Sequence, residues 1–174
     1  MKAYIVGTKH SLQQGKIMPV EFATYLQGKC REHGIALIAE EINGDATQIV
    51  AKEVSNSLGI RHLIIDPKPS EYDRLSVIEI HVIEYEVMQH YDLKVSPLSS
   101  ASNTPSESVH EFESRMRHEH CDPRELEWLR RIKECDTWPV LVICGSFHYD
   151  SFCKLMSDHD IETEKLHHCW GCKA

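Results

Sequence analysis

The sequence predicts a three-layer α/β fold with a mostly parallel central sheet flanked by helices. Three observations lead there. Short apolar runs rich in β-branched residues alternate with amphipathic stretches at helical spacing. Two successive strand-helix-strand units imply parallel strands joined by right-handed crossovers, whose carboxyl ends share one edge of the sheet. The chain of 174 residues, 41% apolar and 26% charged, is long enough to bury such a core as a single domain, 1–174.

The elements follow in order. Lys2 to Gly7 is an apolar run that stops at glycine and reads as the first strand. Pro19 opens a helix carrying Phe22, Tyr25, Leu26 and Cys30, with Gly34 just past its end. Ile35 to Ala39 is an uninterrupted apolar run, hence a buried strand, with Glu40 and Glu41 at its carboxyl end. Asp45 is placed to cap a helix bearing Ile49, Val50, Val54 and Leu58, which Gly59 stops, and His62 to Ile65 follows as a strand ending at Asp66. Leu75 to Tyr91 contains the alternating Ile78, Ile80 and Val82, but its length favours a helix. Ser96 to Ser108 has linker composition, predicting a flexible loop at about 95–110. Pro123 begins a helix with Leu126, Leu129 and Ile132 on one face, and Val140 to Cys144 forms a strand ending in Gly145. Asp150 is placed to cap a last helix through Leu155, before an edge strand from Ile161 to Leu166 and a tail at about 167–174.

Composition narrows the partners. A net charge of −8 without a Lys/Arg cluster argues against nucleic acid or an anionic membrane surface, leaving a small-molecule or peptide substrate as the expected partner. The apolar stretch from Ala3 to Val6 is too short for a signal-peptide core, and no run approaches eighteen apolar residues, so a cytoplasmic location is expected. Seven cysteines, an odd number at scattered spacing, suit reduced thiols. Twelve histidines raise the question of a metal.

Two strands end in glycine with a histidine three positions on, Gly7/His10 and Gly145/His148, and a third ends in Glu40. Carboxyl ends of strands in an open α/β sheet line the crevice where ligands bind. Glycine gives each loop room for positive φ and close backbone approach, so that the histidine can turn back over the sheet edge. Two imidazoles and a carboxylate suffice for a divalent metal with open positions, or for general acid/base work on water. One G-x-x-H alone is more often a loop histidine bonded to backbone; two copies at strand ends carry the weight.

Taken together, Val6-Gly7-Thr8-Lys9-His10-Ser11, Leu37-Ile38-Ala39-Glu40, Arg124-Glu125-Leu126-Glu127-Trp128-Leu129 and Val142-Ile143-Cys144-Gly145-Ser146-Phe147-His148 resemble the motif order of the TraB/ChaN/erythromycin-esterase-like superfamily. That superfamily includes the Tiki metalloproteases, whose described site comprises two G-x-x-H motifs and a glutamate. The resemblance implies that His10, Glu40 and His148 are catalytic, holding Mn, Zn or a similar divalent ion, with Arg124 as a further catalytic residue. It implies a hydrolase acting on a peptide, ester or amide bond. A metal-free scheme, with one histidine activating water and Glu40 orienting it, is the version suggested by erythromycin esterases. ChaN-type relatives imply the alternative, a non-catalytic or regulatory protein binding haem, a nucleotide or another small anion in the same pocket. The chain is much shorter than the best-established enzymes of the superfamily, so the insertions that name a substrate are missing or reduced.

Glu41, Asp66 and Glu125 are the expected substrate contacts. Adjacent strand residues face opposite sides, so only one of Glu40 and Glu41 is aimed into the site, and the resemblance selects Glu40. Arg124 is read as binding an anionic substrate group or pairing with Glu40, the alternative being a surface ion pair with Glu127 or Glu119. Asp66, before Pro67, is equally a turn residue. Cys144 reads as a buried small hydrophobe, and Trp128 and Trp138 as core or rim aromatics. Cys169 and Cys172, after His167 and His168, have ligand types for zinc but lack a second paired half, so the segment reads as frayed or packed terminal chain.

Overall fold

The structure, a computed structural model, describes residues 1–42, 48–98 and 105–172. It divides into two compact units, one comprising Met1–Lys68 with Glu127–Ala174 and the other Pro69–Leu126.

The first unit is the α/β layer structure. Its strands are β1 (Lys2–Thr8), β2 (Leu37–Glu40), β3 (Arg61–Ile64), β4 (Val140–Gly145) and β5 (Glu162–His167). They form one sheet in the order β3-β2-β4-β1-β5, with every pairing parallel. The helices of this unit are α1 (His10–Gln13), α2 (Pro19–His33) and α3 (Val50–Leu58), followed late in the chain by the helix carrying Trp128 and by the last helix, Tyr149–Asp158.

Period-two alternation sorts the strand residues onto two faces. Ala3, Ile5, Leu37, Ala39, Val140, Val142 and Cys144 share one face with Trp128, Leu129, Ile132, Phe152 and Met156. Tyr4, Val6, Ile38, Leu141 and Ile143 share the other with Phe22, Leu26 and Cys30 of α2 and Val50, Ala51 and Val54 of α3. Both faces are covered, as an all-parallel sheet requires. Gly34 and Gly59 end α2 and α3 at φ 61° and 67°, the left-handed cap conformation their position in sequence predicts.

Several boundaries differ from expectation for local reasons. The helix expected from Asp45 begins at Val50, and Asp45 itself lies outside the described residues. Asp150 sits inside the last helix and pairs with Lys165 at 2.6 Å, while His148 occupies the cap position. The short α1 has no strong signal, because four residues are too few for periodicity.

The second unit is helical: α4 (Tyr72–Leu75), α5 (Ile80–His90), α6 (Ser106–Arg115), one π-helical turn (Met116–Cys121), and the start of α7 (Asp122–Cys135). The last helix of the chain, Tyr149–Asp158, is α8. The Leu75–Tyr91 stretch is thus helical from Ile80 to His90; of the loop expected at about 95–110, residues 99–104 lie outside the described residues, and helix is present from Ser106. Ile83, Val87 and Phe112 form the unit's own small core. Among the described residues, no helix is long and apolar enough to cross a membrane.

Trp128 is fully buried, and its Nε1–H donates to Asp66 Oδ1 at 3.2 Å. Trp128→Ala is expected to cost about 3–5 kcal/mol in denaturant unfolding. Leu126→Ala, at an exposed position two residues earlier, is expected to change stability by no more than about 0.5 kcal/mol.

Candidate active site

The three central strands, β2, β4 and β1, are neighbours, and their carboxyl ends bear the residues singled out in sequence. β1 is followed by Lys9 and then by His10, the first residue of α1. β4 passes through one 3-10 turn, Ser146–His148, into α8. Each G-x-x-H histidine therefore stands where a strand hands over to a helix. Register explains the convergence: Thr8 lies opposite Gly145, and Glu40 lies opposite Ile143.

Glu41, one residue beyond β2, is the carboxylate that meets both histidines. Its Oε1 lies 3.5 Å from His148 Nε2 and 3.8 Å from His10 Nε2. Its Oε2 accepts the Gly145 backbone N–H at 2.6 Å. Glu41 and His148 are buried, whereas the His10 side chain is 53% exposed. The edge of Trp128 stacks against His148 at 4.8 Å between ring centroids and 63° between planes, which fixes that imidazole from behind.

The glycines work by close approach rather than by positive φ. Gly145 has φ −58° and ψ 141°, ordinary for any residue, but a Cβ there would lie 3.3 Å from Glu41 Oε2 and 3.6 Å from His10 Nε2. Gly7 admits backbone instead: a Cβ would fall 1.9 Å from the His168 carbonyl oxygen.

Glu40 points to the opposite face from Glu41, as alternation demands. It is fully buried, and its Oε2 shares a hydrogen bond with His62 Nε2 at 2.9 Å. Burial pushes the Glu40 carboxyl above its ordinary value, with the His62 hydrogen bond opposing the shift. Gln13 reaches back from α1 to the residue after β2, since its Nε2 donates to the Glu41 carbonyl at 2.9 Å. Sequence reasoning gave neither Gln13 nor His62 a place in the site. The signal for Gln13 was its place three residues after His10 on one helical turn; the signal for His62 was its register opposite Ile38 in β3.

Asp66, past the end of β3, accepts the Trp128 indole N–H, and its carbonyl accepts from Arg131 at 3.1 Å. Arg124 and Glu125 belong to the second unit. There Arg124 is buried with Nη1 3.1 Å from His120 Nε2. His120 Nδ1–H donates to the Ile78 carbonyl at 2.8 Å, which leaves Nε2 to accept from the guanidinium. Glu125 receives both nitrogens of Arg117 at 2.9 and 2.8 Å. Cys144 is fully buried in the sheet.

No family model, curated protein or solved structure matches this chain. The metal implied by the resemblance can be tested on the donors themselves. Among the described residues, no group of three or more His, Cys, Asp or Glu is arranged to hold a metal ion. Glu40, the expected acidic ligand, faces His62, and Glu41 has one oxygen on the Gly145 amide. The donor set does not fit a metal centre.

Because the Glu40 carboxyl sits above its ordinary 4.5, the folded chain holds a proton that the unfolded chain releases. The associated stability is present below the ordinary value and is lost as pH rises through the folded one. Glu40→Gln removes this dependence. Urea unfolding between about pH 5 and 8 is expected to show the variant gaining on the native protein as pH rises, and a constant difference would contradict the assignment.

Proposed function

We propose that the chain is a hydrolase that activates water at the His10–Glu41–His148 cluster and cleaves a peptide, ester or amide bond. Membership of the TraB/ChaN/erythromycin-esterase-like superfamily, in its metal-free version, belongs to the same proposal. One observation carries it: a buried carboxylate, anchored by a backbone amide, faces two imidazoles, one enclosed and one open to solvent.

The separations of 3.5 and 3.8 Å exceed a direct hydrogen bond and leave these groups within reach of a shared water. Neutral His10, at the open side, takes the proton as that water attacks the substrate carbonyl. The anionic Glu41 stabilises the imidazolium that forms, and the Gly145 amide keeps the carboxylate oriented. The His10 imidazolium then returns that proton to the leaving group, which restores the neutral imidazole, while His148, packed against Trp128, supplies the second polar wall. Phe147, 57% exposed beside His148, offers an apolar contact for the substrate next to the reacting bond.

A panel of chromogenic peptide, ester and amide substrates tests the reading. His10→Ala and Glu41→Gln are each expected to lower kcat about 10²- to 10⁴-fold, while excess chelator leaves turnover unchanged. Full activity in either variant, or loss of activity on chelation, defeats the proposal. A ligand that co-purifies with a protein inert on every substrate replaces it with the binding-module alternative.

A further inference from the structure

The segment after β5 belongs to none of the chemistry above, yet it is seated on the strand end that carries His10. Trp170 N–H donates to the Gly7 carbonyl at 2.8 Å, and Thr8 Oγ1 donates to the Trp170 carbonyl at 3.4 Å. The Trp170 ring tilts against Phe22 and Tyr25 of α2, at 4.9 and 5.3 Å between centroids. Gly171 passes so close to α1 that a Cβ would stand 2.8 Å from Leu12. Gly7 and Gly171 are therefore both required to be glycine by this one crossing.

Cys169 and Cys172 bracket the crossing and are joined by a disulfide, with Cα atoms 5.5 Å apart. Cys172 N–H donates to the Cys169 carbonyl at 3.2 Å, closing the turn between them. The bond spans three residues in sequence. So small a ring removes less entropy from the unfolded chain than a long loop does, which argues against a purely structural staple. Both cysteines are part-exposed, whereas Cys30, Cys121, Cys144 and Cys153 are buried thiols. Burial pushes the Cys30 and Cys153 thiols up to about 11, leaving them poor nucleophiles. His167 and His168 lie exposed immediately before Cys169, and such neighbours favour a thiolate when protonated.

We propose that Cys169-Trp170-Gly171-Cys172 is a thiol–disulfide exchange site for a small cellular thiol, and that its bond holds Trp170 on the end of β1. In the reducing direction, an external thiolate attacks one cysteine sulfur, forming a mixed disulfide and releasing the other cysteine as a thiolate that takes a proton from water. A second external thiolate then attacks the external sulfur of that mixed disulfide, freeing the remaining cysteine, which is protonated in turn. The balance is one protein disulfide and two thiols giving two protein thiols and one external disulfide, with two electrons passing to the protein. Opening the ring frees the turn that positions Trp170, so the Gly7 and Thr8 contacts loosen. The inference stands on the segment's own contacts and does not depend on the hydrolase reading.

The test uses the native full chain equilibrated across ratios of reduced to oxidised glutathione, quenched with an alkylating agent and digested with trypsin. The peptide spanning residues 166–173 is expected to convert cooperatively between unlabelled and doubly labelled forms within that range, while the buried cysteines stay unlabelled. Cys172→Ser is expected to hold a single glutathione adduct at Cys169. Hydrogen exchange at the Trp170 amide is expected to rise at least about tenfold on reduction. A bond closed at every ratio, thiols that never pair under excess oxidised glutathione, or an exchange rate at Trp170 unchanged by reduction would each overturn the proposal. Labelling of the buried cysteines together with this pair would do so as well, since it reports global unfolding.

Discussion

The hydrogen bond from the Gly145 amide to Glu41 ties the arrangement together. It joins the end of β4 to the residue that follows β2, and it fixes a carboxylate between two histidines delivered by β1 and β4. A carboxylate with 2% exposure has lost most of its water and needs donors in return. The backbone amide supplies one in a geometry that no side-chain motion can alter. Two features of the fold make this bond available. β2, β4 and β1 are adjacent in the sheet, and position 145 has no side chain to keep the carboxylate at a distance.

The neighbouring pair of glutamates divides the polar interior into two layers. Glu41 faces the crevice with the histidines, and Glu40 lies behind it against His62 on the side covered by α2 and α3. Gln13 bonds the backbone between them, at the Glu41 carbonyl. A raised Glu40 carboxyl limits the charge carried beside Glu41, which keeps two adjacent buried acids compatible with folding. The helix bearing His10 is thereby held from below by its own last residue.

Much of this was legible in sequence because the signals were periodic or chemical. Four of the parallel strands announced themselves as apolar runs and the fifth, polar one as an edge strand, and the strand-Gly-x-x-His pattern located two of the three residues that meet. The choice between Glu40 and Glu41 was not legible, because alternation says only that they diverge. Which one faces the crevice depends on where β2 ends relative to its neighbours, and that is set by pairing with Ile143 and Ile64 rather than by local sequence. Of the two services expected of the glycines, positive φ and close approach, Gly145 shows the second, and which segments approach is a property of residues distant in the chain. His62 and Gln13 were given no place in the site for the same reason. The segment around Cys169 and Cys172 was expected to be frayed or packed and its thiols reduced; it is packed, on Gly7 and Leu12, but the two sulfurs are joined, because a three-residue turn brings them together where spacing across the chain gave no framework.

The position of β1 has a further consequence for how the chain acquires its structure. β1 lies between β4 and β5 and bonds to no strand nearer in sequence. It is made before either of its partner strands, so both of its hydrogen-bonding edges wait for β4 and β5. Assembly of the sheet is therefore governed by long-range closure and not by successive local units. β2 and β3, which pair directly across α3, form the part able to assemble early, and β4, made later, leads to the His148 that meets Glu41.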